Sequence, residues 1–169
     1  MIVTRNIAIR LAIILFVALM VQMTFLSFVW IWGATPGLVA VVVVIVGLLG
    51  GAVSGAVFGF IAGLLIDTML LGSLGFSSLV LLGVGYFAGR YRESFRLGNI
   101  WQVALVASVL SLLAAAATGL LQLALGADAA VSPLVLRELF VKGLLAFPLT
   151  LVCYPIVRRV LRPALVEAG

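Results

Sequence analysis

Apolar residues occur along this chain in long unbroken blocks, and the sparse polar residues fall between the blocks instead of alternating with them. Residues 11–32 form the first block, closed by Trp30 and Trp32 and then by Pro36-Gly37, which stops a helix. From Leu38 to Ala88 the chain is again almost wholly apolar, with Asp67 as its one charged residue and a turn signal at Gly72-Ser73-Leu74-Gly75. The part after that turn, residues 75–89, ends at a basic cluster, Arg90, Arg92 and Arg96. A block over 100–125 follows, then a short polar loop around Gly126-Ala127-Asp128. Ser132-Pro133 has the form of a helix start, serine as N-cap and proline as first helical residue. The last block, 134–157, ends at Arg158, Arg159 and Arg162. Apolar blocks of about 20 residues are what a helix needs to cross a bilayer.

Residues 38–71 are the ambiguous piece: one tilted helix barely uses their length, and two helices would have only about 16 residues each. Charge sets the parity. Arg5 and Arg10, the Arg90–Arg96 cluster and the Arg158–Arg162 cluster are all expected on the cytoplasmic side. The chain between the first two clusters then crosses an even number of times. The first block and the block after Gly75 supply two crossings, so the piece between them adds two more or, as a re-entrant hairpin, none. Gly50-Gly51 is the natural break. The preferred reading is an all-α polytopic membrane bundle of about six transmembrane helices in one integral domain, both termini cytoplasmic, with spans at 11–32, 37–50, 52–71, 75–89, 100–125 and 134–157.

Composition supports the membrane reading. Of 169 residues, 66% are hydrophobic and 9% are charged, against roughly half and a quarter in a soluble domain. A globule of this size leaves much of its area in water and cannot hide so much apolar surface. The net charge of +5 comes from a few cations at the ends of apolar blocks, a placement that orients a chain in a membrane and does not suggest nucleic acid. The single cysteine, Cys153, excludes an intrachain disulfide and reads as a small packing residue. Arg5 and Arg10 ahead of an apolar block mimic a signal peptide. That block is longer than a signal h-region, and Gly33-Ala34-Thr35-Pro36 is a poor cleavage site, so it is expected to stay as the first helix.

Glycines at 47, 51, 55, 59 and 63 stand four apart and so share one helix face. Bare glycine lets another backbone approach closely, which is how membrane helices associate without a hydrophobic driving force. Gly51, Gly55, Gly59 and Gly63 stay together on the second short helix, as a face for packing within the bundle or for docking a partner subunit. Gly85 and Gly89 repeat the spacing in the next block. Asp67 is costly near a bilayer unless paired, hydrated or protonated. It either anchors the turn and caps nearby backbone, or pairs with Arg137 at the outer end of the last helix, where Glu138 and Lys142 are spaced to pair with each other. Pro148 and Pro155 should bend that helix. Arg90, Arg92 and Arg96 form the main cytoplasmic loop, a topology signal and a contact for anionic lipid or a cytoplasmic protein. Nothing suggests catalysis: there is no histidine, no zinc-type ligand cluster, no Walker loop and no second intramembrane carboxylate for a proton relay. The expectation is a protein that is not an enzyme and uses no cofactor or metal.

The run Gly55-Ala56-Val57-Phe58-Gly59-Phe60-Ile61-Ala62-Gly63-Leu64-Leu65-Ile66-Asp67, continuing through Leu74-Gly75-Phe76 into Gly85-Tyr86-Phe87-Ala88-Gly89-Arg90, resembles the MreD family of rod shape-determining proteins. That family shows a Gly-x-x-x-Gly-Leu-x-x-Asp run, a Leu-Gly after a short loop and a Gly-Tyr late in the next helix. Pro36 before the second span also fits. The resemblance implies a bacterial inner-membrane protein that scaffolds or regulates lateral-wall peptidoglycan synthesis in the elongation complex. Its implied partners are an MreC-like protein, with MreB, RodA and a class B penicillin-binding protein in the same machinery. Gly59, Gly63 and Asp67 would belong to the family's characteristic segment, and no catalytic residue is implied. The family is also similar in architecture to the S-components of energy-coupling-factor vitamin transporters, which supplies an expected bundle shape and an alternative function, a substrate-binding subunit. Ala8 and Ala12 have the Ala-x-x-x-Ala spacing such subunits use, but the outer loops offer few polar side chains to grip a vitamin.

Overall fold

The computed structural model describes residues 2–22, 24, 37–70, 75–94, 100–124 and 133–166. Trp30, Trp32, Pro36, the turn at 72–74, Arg96 and the loop around Asp128 lie outside the described residues, as do the side chains of Arg5, Ala8, Arg137, Glu138 and Arg162. Among the described residues there are six helices: α1 Ile2–Val21, α2 Leu38–Gly50, α3 Ala52–Leu70, α4 Phe76–Ser94, α5 Ile100–Ala124 and α6 Pro133–Val166. There is no strand among the described residues. The architecture is all-α, in keeping with a membrane helical bundle. Stretches of α3, α5 and α6 are long and apolar enough to cross a bilayer, and Ile9–Val21 and α2 are shorter apolar helices.

The centre of the bundle is α2. Its 13 residues reach about 20 Å at 1.5 Å per residue, short of the ~30 Å of hydrocarbon in a bilayer. Yet Val41, Val43, Val44 and Ile45 are wholly buried, and α2 packs against all five other helices. A helix that is apolar all round belongs in an interior. The valine run is a poor helix former in water. In lipid it has no other way to satisfy its backbone. Around α2, one apolar cluster gathers Leu15 and Leu19 of α1, Phe58 and Ala62 of α3, and Val157 of α6. A second gathers Val80 and Val84 of α4 with Val103 and Ala107 of α5. Large apolar side chains such as Phe16, Val53, Phe87, Leu105 and Leu144 point outward and are more than half exposed, as a hydrocarbon solvent allows.

Three element boundaries differ from the apolar blocks. Helix α1 starts before Arg5 and Arg10 instead of after them, and Arg10 donates to the Val160 carbonyl of α6 at 3.1 Å. Helix α4 continues to Ser94, so Arg90 and Arg92 lie within it, Arg92 in its last turn, and not in a loop. Arginine and glutamate are good helix formers, and cations complement the C-terminal end of a helix. Helix α6 runs as one helix through Pro148 and Pro155 and past Arg159.

Candidate helix-contact site

Helices α3 and α4 are antiparallel and form the most extensive pair in the bundle. Glycine makes their approach possible. A methyl group at Gly55 would strike the Gly85 carbonyl oxygen and lie 2.7 Å from the Cα of Gly47. One at Gly59 would strike the Leu81 carbonyl, and one at Gly63 the Ser78 backbone. From the other side, methyl groups at Gly85 and Gly89 would strike the backbones of Gly55 and of Gly51-Ala52. Gly47 of α2 joins the same seam, its notional Cβ 2.6 Å from the Gly85 oxygen. The glycine face that the sequence offered to either an internal or an external helix is thus filled by this chain's own α4 and α2.

Gly51 has a separate task. It separates α2 from α3 with φ +92°, a conformation that suits glycine, and its N–H donates to the Gly47 carbonyl at 2.8 Å. Two side chains from the last turn of α4 tie down this break. The Arg92 guanidinium donates to the Leu49 carbonyl at the C-terminal end of α2. Glu93 accepts from the N–H of Ala52, the first residue of α3, at 3.2 Å. A cation therefore meets the negative end of one helix dipole, and an anion meets the positive end of the next. Arg90 bonds Glu93 at 3.4 Å with both side chains exposed, a geometry that contributes little to stability by itself.

At the opposite end of the pair, Asp67 is 5% exposed and faces the first turn of α4. Its Oδ2 accepts from Gly75 N at 2.9 Å, Ser78 Oγ at 3.2 Å and, more weakly, Ser78 N at 3.4 Å, while Oδ1 accepts from Ser77 N at 3.2 Å. Gly75 adopts φ +105°, which turns its N–H toward the carboxylate at the start of α4. Asp67 thus acts as an N-cap supplied by a neighbouring helix. Its expected partner Arg137 and the third arginine of the basic cluster, Arg96, fall outside what is described. The sequence reading missed Glu93 as a cap and the serines that hold Asp67. The available signal was a carboxylate standing alone among arginines at the end of an apolar block. Among the described residues no group of histidine, cysteine and carboxylate side chains could hold a metal ion. The arrangement fixes backbone ends and brings helices into close contact.

The chain matches the family described as rod shape-determining protein MreD over residues 4–156. No curated protein and no solved structure matches it. With the match spanning most of its length, the chain belongs to the MreD family.

Proposed function

We propose that this member of the MreD family is a non-enzymatic, multi-pass subunit of the bacterial elongation complex, placing or regulating lateral-wall peptidoglycan synthesis through helix–helix contacts. The family match over residues 4–156 carries this reading, and membership supports a role in rod shape determination. An MreC-like protein is the proposed direct partner, with MreB, RodA and a class B penicillin-binding protein as further members of the assembly. The comparisons lend nothing to the vitamin-transporter alternative.

With the Gly55–Gly63 face filled from within, partner contacts fall on faces that remain open. Gly83 of α4 is such a position, since a Cβ there would meet nothing within 4 Å. The proposed topology has both termini in the cytoplasm of an inner-membrane protein. The Arg10–Val160 bond supports it by holding Arg10 of α1 beside the C-terminal part of α6. Pairing of Asp67 with Arg137 is retained as a proposal. Reversing both charges should restore membrane levels lost in either single reversal, and failure to restore them removes Arg137 from the site.

The function is tested by pulling the tagged protein from native membranes and depleting it in the same strain. An MreC-like protein should come with it, and rods should swell into spheres. Recovery without any elongation partner, together with unchanged cell shape, would overturn the proposal.

A further inference from the structure

We propose that the groove between α4 and α5 holds one acyl chain of an anionic phospholipid, whose phosphate meets Arg90 at the groove's end. These two helices pack less extensively than α3 with α4 or α5 with α6, and they leave a furrow of about 940 Å³. Ligand sites commonly measure ~300–1,000 Å³. Leu79, Gly83 and Phe87 stand four apart on its α4 wall and so share one helix face. Leu79 and Phe87 are exposed, and between them Gly83 adds no side chain, with open space where its Cβ would be. Val80 and Val84 are buried beneath this notch.

Two observations choose the occupant. The first is polarity along the groove. Arg90, Tyr91 and Ser94 line one end, and every other lining side chain is apolar. An amphiphile with a charged head and a hydrocarbon tail matches that order. Arg90 reaches Glu93 through a single nitrogen at 3.4 Å, with both side chains exposed. The other donors of its guanidinium suit phosphate oxygens. Arg90 and Arg92 stand against Glu93 alone in this part of α4, so the local charge is positive and complements a phosphodiester. The second observation is length. Leu79 and Arg90 are eleven residues apart, about 16 Å along a helix at 1.5 Å per residue. That is close to half of the ~30 Å of hydrocarbon in a bilayer, the depth of one leaflet. A single acyl chain running from headgroup to midplane has this reach, whereas a partner's transmembrane helix needs the whole thickness. The leaflet is the one that carries the arginines, the cytoplasmic one in the proposed topology.

The full chain in detergent is offered phosphatidylglycerol or phosphatidylcholine with identical acyl chains, and bound lipid is counted by native mass spectrometry. Phosphatidylglycerol should be retained about fivefold better, the effect of one basic residue on an anionic lipid. Arg90→Gln should bring the two lipids close to parity. Arg159→Gln, at an exposed position on α6 outside the groove, should leave the preference as it is. Gly83→Leu fills the notch where a side chain has room and should also abolish the preference, with the thermal unfolding midpoint retained in both variants. Equal retention of the two lipids by the wild type, or a preference that survives both Arg90→Gln and Gly83→Leu, overturns the proposal. In native membranes, a photoreactive diazirine side chain at position 110, on the half-buried α5 wall, should capture phospholipid. Capture of a polypeptide instead would assign the groove to a partner and overturn the proposal as well.

Discussion

Asp67 and Glu93 stand at opposite ends of the α3–α4 pair, and each caps the helix to which the other belongs. Asp67, near the end of α3, receives the N–H groups that open α4. Glu93, in the last turn of α4, receives the first N–H of α3. The exchange places a carboxylate at the positive end of each helix dipole. It also satisfies backbone donors where the chain reverses, in a setting that offers little water. Between the two caps the glycine seam keeps the backbones in contact, so caps and seam specify one register.

Removing the Asp67 carboxylate should therefore cost more than removing an exposed charge. Asp67→Ala strands half-buried donors at Gly75 and Ser77 and buried donors at Ser78, and is expected to destabilise the protein by roughly 2–3 kcal/mol. Asp67→Asn keeps one acceptor oxygen and should cost less. Denaturant or thermal unfolding in detergent orders the three proteins. An alanine variant as stable as the wild type would deny the cap any energetic role.

Glu93 is the more exposed cap, with a side chain 46% accessible. Glu93→Ala should cost about 1 kcal/mol, the usual worth of an N-cap. Hydrogen exchange should accelerate at Ala52 and leave Ser77 and Ser78 protected. Faster exchange at both ends of the pair would show that the two caps do not act locally.

The glycines of α3 and α4 should divide by position. Gly59→Ala and Gly63→Ala place a methyl against the Leu81 carbonyl and the Ser78 backbone, and should lower membrane levels of folded protein. Gly83→Ala meets open space and removes the roughly 1 kcal/mol helix penalty of glycine. It should match or exceed the wild type in stability, so a loss of partner recovery with Gly83→Leu would report the outer face and not folding. Equal damage from Gly59→Ala and Gly83→Ala would contradict the seam.

The central helix should be more sensitive than the outward faces. Ile45→Ala opens a cavity at a wholly buried position and is expected to cost about 2–5 kcal/mol. Phe16→Ala, at a position 62% exposed, should cost far less in detergent. Unfolding midpoints measured side by side provide the comparison, and similar losses in the two variants would move α2 out of the core.

Much of the fold was legible because lipid imposes a simple rule. Apolar blocks become helices, and glycine and proline mark their ends. The break at Gly51 and the proline start of α6 at Pro133 follow from that rule. Helix ends rich in arginine were harder to read. The same residues suit a last helical turn and a loop, so α4 ran on to Ser94 where the sequence suggested a loop.

The amino-acid sequence by itself determined that the chain is helical, apolar beyond what water tolerates, and equipped with a four-residue glycine spacing fit for backbone contact. Tertiary structure decided which backbone fills that spacing, that Asp67 holds the start of α4, and that short α2 occupies the centre. The reason is physical: spacing records which residues share a face, but every helix in hydrocarbon is apolar on several faces, so the choice of neighbour depends on shape and on which helix ends find their hydrogen bonds.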